Sequence, residues 1–250
     1  MSTPNSENLD LSPNGNAAIA VYCGSSTGKK EEYVKAAICH ALAREQRPLV
    51  YGGGSQGIMG IVSRTVLGDG GAVTGVIPYA MHIRGGEREK QPGISNVMEI
   101  LSEPGREKMK TIVVNSMHER KVEMAKRSCG FIGLPGGFGT LEEILEVTTW
   151  TQLGIHKKPV VLLNVLSYFD PLRQLIQNGI SEGYIGPSNA NLIVFVDGPT
   201  SHKDHDSFDW GTAAVQAIQA WRGDDVKVLP FDWTAGNGGK VFEEGALGVV

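Results

Sequence analysis

Short, almost unbroken apolar runs recur along the chain between longer stretches of mixed polarity. AIAVYC (18–23), PLVY (48–51), AVTGVIP (72–78), TIVVN (111–115), CGFIGL (129–134), PVVLLN (159–164) and LIVFV (192–196) are seven such runs. They lack the in–out alternation of a strand with one wet face, so they read as strands covered on both sides. The intervening stretches carry helical spacing and predict helices over 30–45, 57–67, 117–127, 141–153, 168–181 and 210–221. Strand and helix taking turns in this way predicts an α/β fold, a three-layer, doubly wound, Rossmann-like parallel sheet with helices on both faces. Sheets of that kind bind ligands beyond the carboxyl ends of their strands, which directs attention to the turns that follow each apolar run.

With 250 residues, 41% of them apolar, the chain can bury a sizeable core, and one catalytic domain over 17–222 accounts for the whole pattern. Residues 1–16, MSTPNSENLDLSPNGN, have neither the basic region nor the apolar core of a secretory signal and read as a disordered arm. Residues 223–250 form a glycine-rich C-terminal extension, and 83–110 a charged stretch that suits an exposed insertion or a lid over the site. A net charge of −4, with basic residues scattered instead of striped, argues against a nucleic-acid or anionic-membrane surface. No apolar run approaches membrane-spanning length. Cys23, Cys39 and Cys129 are widely spaced and lack a CxxC, as expected of reduced, mostly buried thiols in a cytoplasmic protein without a metal site.

The candidate chemistry sits in the turns. PGGFGT, Pro135 to Thr140, runs directly into the helical segment LEEILEVTTW. Three glycines let the backbone turn sharply and approach a ligand, and Thr140 suits the N-cap of the helix, whose free amides and dipole favour an anion. Glu143 then falls in the first turn. On spacing alone it serves equally as the acidic member of a capping box with Thr140 or as a carboxylate facing a ligand. A second cluster, YGGGSQGIMG, satisfies G-x-G-x-x-G at Gly52, Gly54 and Gly57, but no acidic residue closes the next strand about twenty residues on, so a dinucleotide reading is weak. A third turn after AIAVYC offers Gly24, Ser25 and Ser26 to a nucleotide, although each loop by itself also suits ordinary turn chemistry. Between the glycine loops, SMHERKVEMAKRS is helical in pattern, with Ser116 as its cap and cations at Arg120 and Lys121. Adjacent residues diverge by about a hundred degrees, so one is expected to bind while the other stays solvated, or both belong to a solvated face with Glu119 and Glu123.

Taken together, YGGGSQGIMG, MHERK, PGGFGTLEE and TTWTQLGIHKKPVVLLN resemble the lonely-guy family of cytokinin-activating phosphoribohydrolases, long described as possible lysine decarboxylases. The likeness covers about residues 17–196, and its specific part, PGGxGTxxE, stands in register at Pro135, Gly136, Gly137, Gly139, Thr140 and Glu143. It implies hydrolysis of the N-glycosidic bond of a cytokinin riboside 5′-monophosphate, without a cofactor, by a homodimer or larger homo-oligomer. By position it makes Arg120 and Glu143 the catalytic pair and puts Lys121, Gly137 to Glu143 and Thr149 around the nucleotide. The full set of expected substrate contacts is Gly24, Ser25, Gly53, Gly54, Met117, Lys121, Pro135, Gly136, Gly137, Phe138, Gly139, Thr140 and Thr149. An acidic contact is also implied within the 83–110 stretch, with Glu99, Glu103 and Glu107 as candidates.

The residue types fit that chemistry on their own terms. Glycoside cleavage builds positive charge on the sugar, which a nearby carboxylate stabilises while orienting or deprotonating water. Arginine supplies several fixed donors for phosphate or ribose and a countercharge for the glutamate. An AMP nucleosidase of broader specificity is the nearest alternative. A nucleotide or molybdenum-cofactor carrier is the alternative of another class, and there Glu143 would only cap its helix. Met117, Met124, Trp150 and Leu153 suit an apolar pocket or, more simply, core or subunit packing. His118 and His156 lack a spaced partner for a metal and read as hydrogen-bonded structural histidines. No G-x-S-x-G elbow surrounds Ser25 or Ser26, so neither reads as a nucleophile.

Overall fold

A computed structural model describes residues 16–37, 40–82, 98–101, 108–223, 229 and 231. One eight-stranded sheet, ordered β4-β5-β3-β2-β1-β6-β7-β8, runs through the molecule. Its strands are β1 (Ile19–Tyr22), β2 (Leu49–Tyr51), β3 (Val73–Pro78), β4 (Met98–Leu101), β5 (Met109–Val114), β6 (Gly130–Gly133), β7 (Val160–Leu163) and β8 (Ile193–Val196). Every pairing is parallel except β4 with β5, where Met98 stands opposite Val113. The expected all-parallel sheet therefore carries one antiparallel edge strand, formed by part of the predicted insertion. The rest of 83–107, with Glu103 and Glu107, lies outside the described residues.

Strand side chains divide the core in two. Ile19, Val21, Leu49, Tyr51, Ile132 and Val161 pack on one face with helices α1 (Glu31–Ala36), α2 (His40–Arg44), α3 (Gly57–Gly68) and α8 (Trp210–Ala220). Ala20, Tyr22, Val50, Ile112, Phe131 and Leu162 pack on the other with α5 (Met117–Lys126), α6 (Phe138–Gln152) and α7 (Asp170–Ser181). A short helix, α4 (Tyr79–His82), follows β3. Period-two alternation thus feeds two hydrophobic layers at once, which is why the central strands read as continuous apolar runs.

Helix boundaries differ from expectation at three places. The single helix predicted over 30–45 is two helices, α1 and α2, with Cys39 outside the described residues. Helix α7 starts at Asp170, with Pro171 in its first turn, where a missing N–H costs nothing. Tyr168 belongs to the preceding turn. Helix α6 starts earlier than predicted, with consequences for the site. Cys23 and Cys129 are buried, and no described helix is long and apolar enough to cross a membrane.

Candidate active site

The chain leaves β1 toward β2, β3 and β5 on one side and returns to β6, β7 and β8 on the other, so the sheet switches direction between β1 and β6. The turns after β1, β2 and β6 meet at that carboxyl edge. Gly24 N–H donates to Pro135 O at 3.2 Å, joining the first turn to the third. Ile58 and Met59, at the start of α3, donate their amides to Ser26 O (3.4 Å) and Gly24 O (3.3 Å). The second glycine turn therefore gives the first amides of its helix to the first turn, and the dinucleotide reading loses the anion site it needs. Gly53 and Gly54, expected as ligand contacts, have packing reasons of their own. Gly53 has a φ of +75°, and a Cβ on Gly54 would lie 2.7 Å from Met59 Cε. Ser25 is exposed beside them.

At the third turn, α6 takes Gly137 as its N-cap, not Thr140. Thr140 lies inside the helix, its Oγ1 only 2.1 Å from where a Cβ on Gly136 would stand. Among the described residues, the amides of Gly137, Phe138, Gly139 and Thr140 donate to no acceptor of the protein. A Cβ at Gly137 or Gly139 would meet nothing within 4 Å. Orphan amides at the positive end of a 15-residue helix, open above, suit an anion. Behind the loop, Tyr168 O–H donates to Gly136 O at 2.5 Å, while Phe138 projects outward, 93% exposed.

The earlier start also removes the capping box. Glu143 is the sixth residue of α6, out of reach of the first amides, and is buried toward the sheet with 6% exposure. Its Oε1 lies 3.0 Å from Arg120 Nη1. The contact is not aligned as a hydrogen bond, and Oε1 has no hydrogen-bond partner among the described residues. Burial raises the Glu143 carboxyl from 4.5 to about 7, with the Arg120 charge pulling the other way and the neighbouring carboxylates of Glu142 and Glu146 adding to the rise. Side-chain capping does form in the chain, on α5, where Ser116 is the N-cap. Ser116 Oγ accepts Glu119 N–H at 3.0 Å, and Glu119 Oε2 accepts Asn115 N–H at 2.8 Å.

Arg120 and Lys121 are both buried, so neither is the solvated cation expected. The roughly hundred-degree divergence between neighbours aims one at the sheet and the other at α6, and both directions are covered. Arg120 Nε donates to Val76 O at 3.2 Å. Its Nη2 occupies the space above Gly52, where a Cβ would come within 2.0 Å. Lys121 Nζ pairs with Glu142 and, at 3.0 Å, with Glu146. Burial would lower the Lys121 pKa, but the two carboxylates raise it above its ordinary value.

Other expected contacts are spread more widely. Met117 is 42% exposed, its Sδ 4.0 Å from Arg120 Nη1. Thr149 is exposed, its Oγ1 donating to Leu145 O at 2.8 Å. Nine residues of helical rise separate it from Thr140 by about 14 Å, so the fold does not bring Thr149 to the glycine loop within one chain. It borders instead a groove of about 560 Å³ on the outer face of α6, with Glu142, Leu145, Glu146, Trp150, Leu153 and Ile155. Met124 is core. His156 is buried, with Nδ1 3.3 Å from Thr151 Oγ1 and a pKa lowered by burial to about 3, whereas His118 is exposed.

Two residues of the site were missed in the sequence. Gly52 seats Arg120, and its signal, the first glycine of the triplet, was absorbed into a dinucleotide motif. Tyr22, at the end of β1, is buried with no hydrogen-bond partner for its hydroxyl among the described residues. Its pKa is raised well above 10 by burial and then by the nearby Glu143 charge. Nothing in an apolar strand marks a tyrosine as the neighbour of a carboxylate.

Fold and site define a doubly wound α/β protein with an anion-ready glycine loop over a buried carboxylate–guanidinium pair. The family model described as "Possible lysine decarboxylase" matches residues 59–204, more than half of the chain. Among curated proteins the chain is 47% identical over 178 residues to the "Probable cytokinin riboside 5'-monophosphate phosphoribohydrolase LOGL5" of Oryza sativa subsp. japonica. It is also 47% identical over 178 residues to the cytokinin riboside 5'-monophosphate phosphoribohydrolase LOG7 of Arabidopsis thaliana. The match takes in 70% of this chain in both cases, 65% of the rice protein and 74% of the Arabidopsis protein. The chain belongs to this family, the lonely-guy family. Among solved structures it is similar to the molybdenum-cofactor carrier protein of Chlamydomonas reinhardtii, at 20% identity and a TM-score of 0.46 over 72% of this chain and 89% of that one.

Proposed function

We propose that this chain hydrolyses the N-glycosidic bond of adenylate-type cytokinin riboside 5′-monophosphates, releasing the free base and ribose 5-phosphate. The observation that carries the reading is the buried Arg120–Glu143 pair, 3.0 Å apart, whose glutamate stands on the same helix, α6, that presents the orphan amides. Glu143 stabilises the positive charge that develops on the ribose and takes the proton of the attacking water, for which a pKa near 7 suits a base working near neutrality. Arg120 keeps part of the Glu143 population ionised and offers donors to the sugar or phosphate. The amides of Gly137 to Thr140 hold the 5′-phosphate, and anchoring that remote group gives binding and orientation to the anomeric carbon. A carrier would need the loop but no buried acid–arginine pair. A decarboxylase using pyridoxal would need a reactive lysine at the loops. Lys121 is tied to two carboxylates, and Lys158, whose pKa burial lowers to about 8, precedes β7 at the opposite edge of the sheet.

The active unit in this reading is at least a homodimer. The α6 groove, the distance of Thr149 from its own loop and the exposed Met117, Phe138 and Leu145 on α5 and α6 support a second copy against this face. The buried, free thiol of Cys129 supports a reducing, cytoplasmic setting. The test is chromatography of products from isopentenyladenosine monophosphate, its unphosphorylated nucleoside and AMP, with wild type, Glu143→Gln and Arg120→Ala. Base released from monophosphates by the wild type and lost in the folded variants is the expected result, and the two monophosphate rates give the base preference. No release from any of the three would overturn the assignment and return Glu143 to a structural role.

A further inference from the structure

The turn between β7 and α7 is held in a conformation its residues do not favour. Leu166 and Ser167 have φ of 52° and 61°, the left-handed region, where a Cβ is in steric conflict with the backbone. Surrounding bonds fix both. Leu166 N–H donates to His205 Nδ1 at 3.1 Å, and His205 Nε2 lies 2.8 Å from Pro199 O, so the imidazole is neutral with its proton on Nε2. Ser167 Oγ lies 3.1 Å from His202 Nε2, and Asn164 Oδ1 accepts Phe169 N–H at 2.7 Å. The residue delivered by this turn is Tyr168. Its ring stands edge-on to Tyr33 (5.9 Å) and Phe169 (5.1 Å), and its hydroxyl reaches the glycine loop at Gly136 O, 2.5 Å away.

That single bond sets the direction of an amide. In a trans peptide the C=O and the following N–H point to opposite sides, and the chain has no cis peptide among the described residues. Holding Gly136 C=O on the Tyr168 side therefore turns Gly137 N–H away from it, and a donated hydrogen bond at the oxygen polarises the same peptide. Gly137 has no Cβ to lock its backbone and open space where one would stand, so without an external tether this peptide is the freest part of the loop. We propose that Tyr168 is a positioning residue for the phosphate cradle, fixing the Gly136–Gly137 peptide so that Gly137 N–H faces the 5′-phosphate. The role rests on the phosphoribohydrolase reading and concerns its phosphate end only.

The test compares wild type and Tyr168→Phe for inhibition by inorganic phosphate, ribose 5-phosphate and adenosine, with the KM for isopentenyladenosine monophosphate. Losing one well-directed donor should weaken both phosphate-bearing inhibitors and raise this KM by about tenfold, while adenosine inhibits both proteins equally and thermal melting is unchanged. A variant that matches wild type with every ligand overturns the role. So does one weakened equally toward adenosine and phosphate, since the hydroxyl would then be supporting the fold. Both results leave the phosphoribohydrolase reading standing. A wild type that binds no phosphate-bearing ligand and cleaves no monophosphate removes that reading and this role together.

Discussion

Replacing Glu143 by glutamine separates what the carboxylate does for the reaction from what its burial costs the fold. Burial lifts its pKa from 4.5 to about 7 against the pull of Arg120. At about 1.4 kcal/mol per pH unit, that rise corresponds to roughly 3 kcal/mol favouring the protonated form in the folded state. Because the folded value lies above the unfolded one, the folded chain binds the extra proton between the two. The stabilisation is complete below about pH 4.5 and lost as pH climbs through about 7. Glutamine has no proton to lose, so its stability lacks this decline. Removing the charge also leaves Arg120 without its partner, an offset that pH does not alter in this range. The difference in unfolding free energy, variant minus wild type, should therefore grow by about 3 kcal/mol between about pH 4.5 and pH 8. Urea unfolding followed by far-ultraviolet circular dichroism at several pH values measures it. In parallel, an electrostatic contribution of about 4 kcal/mol at about 4 Å and an effective dielectric near 20 predicts close to a thousandfold loss of kcat/KM. Stability curves that run parallel from acid to alkali would refute the buried, high-pKa carboxylate, whatever the activity does.

Arg120→Ala removes the larger of the two charges, Arg120 and Lys121, that lower the Glu143 pKa, so the acid limb of the kcat/KM profile of its residual activity should move up by about a pH unit or more; an unmoved limb would mean that another group titrates there. Gly52→Ala puts a methyl 2.0 Å from Arg120 Nη2, and the displaced guanidinium should lower kcat/KM by about ten- to a hundredfold with the circular dichroism spectrum retained. Gly136 and Gly139 should part company. Gly136→Ala meets Thr140 Oγ1 at 2.1 Å and Gly24 N at 2.9 Å and should destabilise by about 2 kcal/mol or more. Gly139→Ala enters open space and should melt at or slightly above the wild-type temperature while raising KM for the monophosphate.

The sheet was legible because its strands are buried on both faces, and continuous apolar runs such as IAVY and VVLL have few other readings. Strand β4 was not, since a charged stretch around MEIL hid an edge strand that needs to cover only one ladder. The carboxyl-edge site was legible from three glycine-bearing turns, yet which turn faces a ligand was not. That depends on Gly24 O and Ser26 O reaching the amides of α3, a contact between segments some thirty residues apart. Capping preference placed the start of α6 at Thr140, whereas the glycines at 137 and 139 let the helix begin a turn sooner. For Arg120 and Lys121 the composition of their segment suggested a solvated face. Only the packing of α5 against both the sheet and α6 shows that each cation is itself buried and has its own carboxylate partner, Glu143 for Arg120 and Glu142 with Glu146 for Lys121.

The division of labour among the turns also explains why one helix carries both ends of the proposed chemistry. The first two turns bond to each other, so α3 has two of its first amides engaged and the open anion site falls to α6. From Phe138 to Glu143 the helix rises by about 7 Å, comparable to the reach of a ribose 5-phosphate from its phosphorus to its anomeric carbon. A phosphate on the amides and a carboxylate one turn and a half further in are then spaced by a rigid element and not by a loop. The carboxylate is buried beside the Arg120 guanidinium, which leaves its pKa near 7 and its Oε1 without a hydrogen bond among the described residues. A buried carboxylate held near neutrality is what the proposed reaction asks of its base.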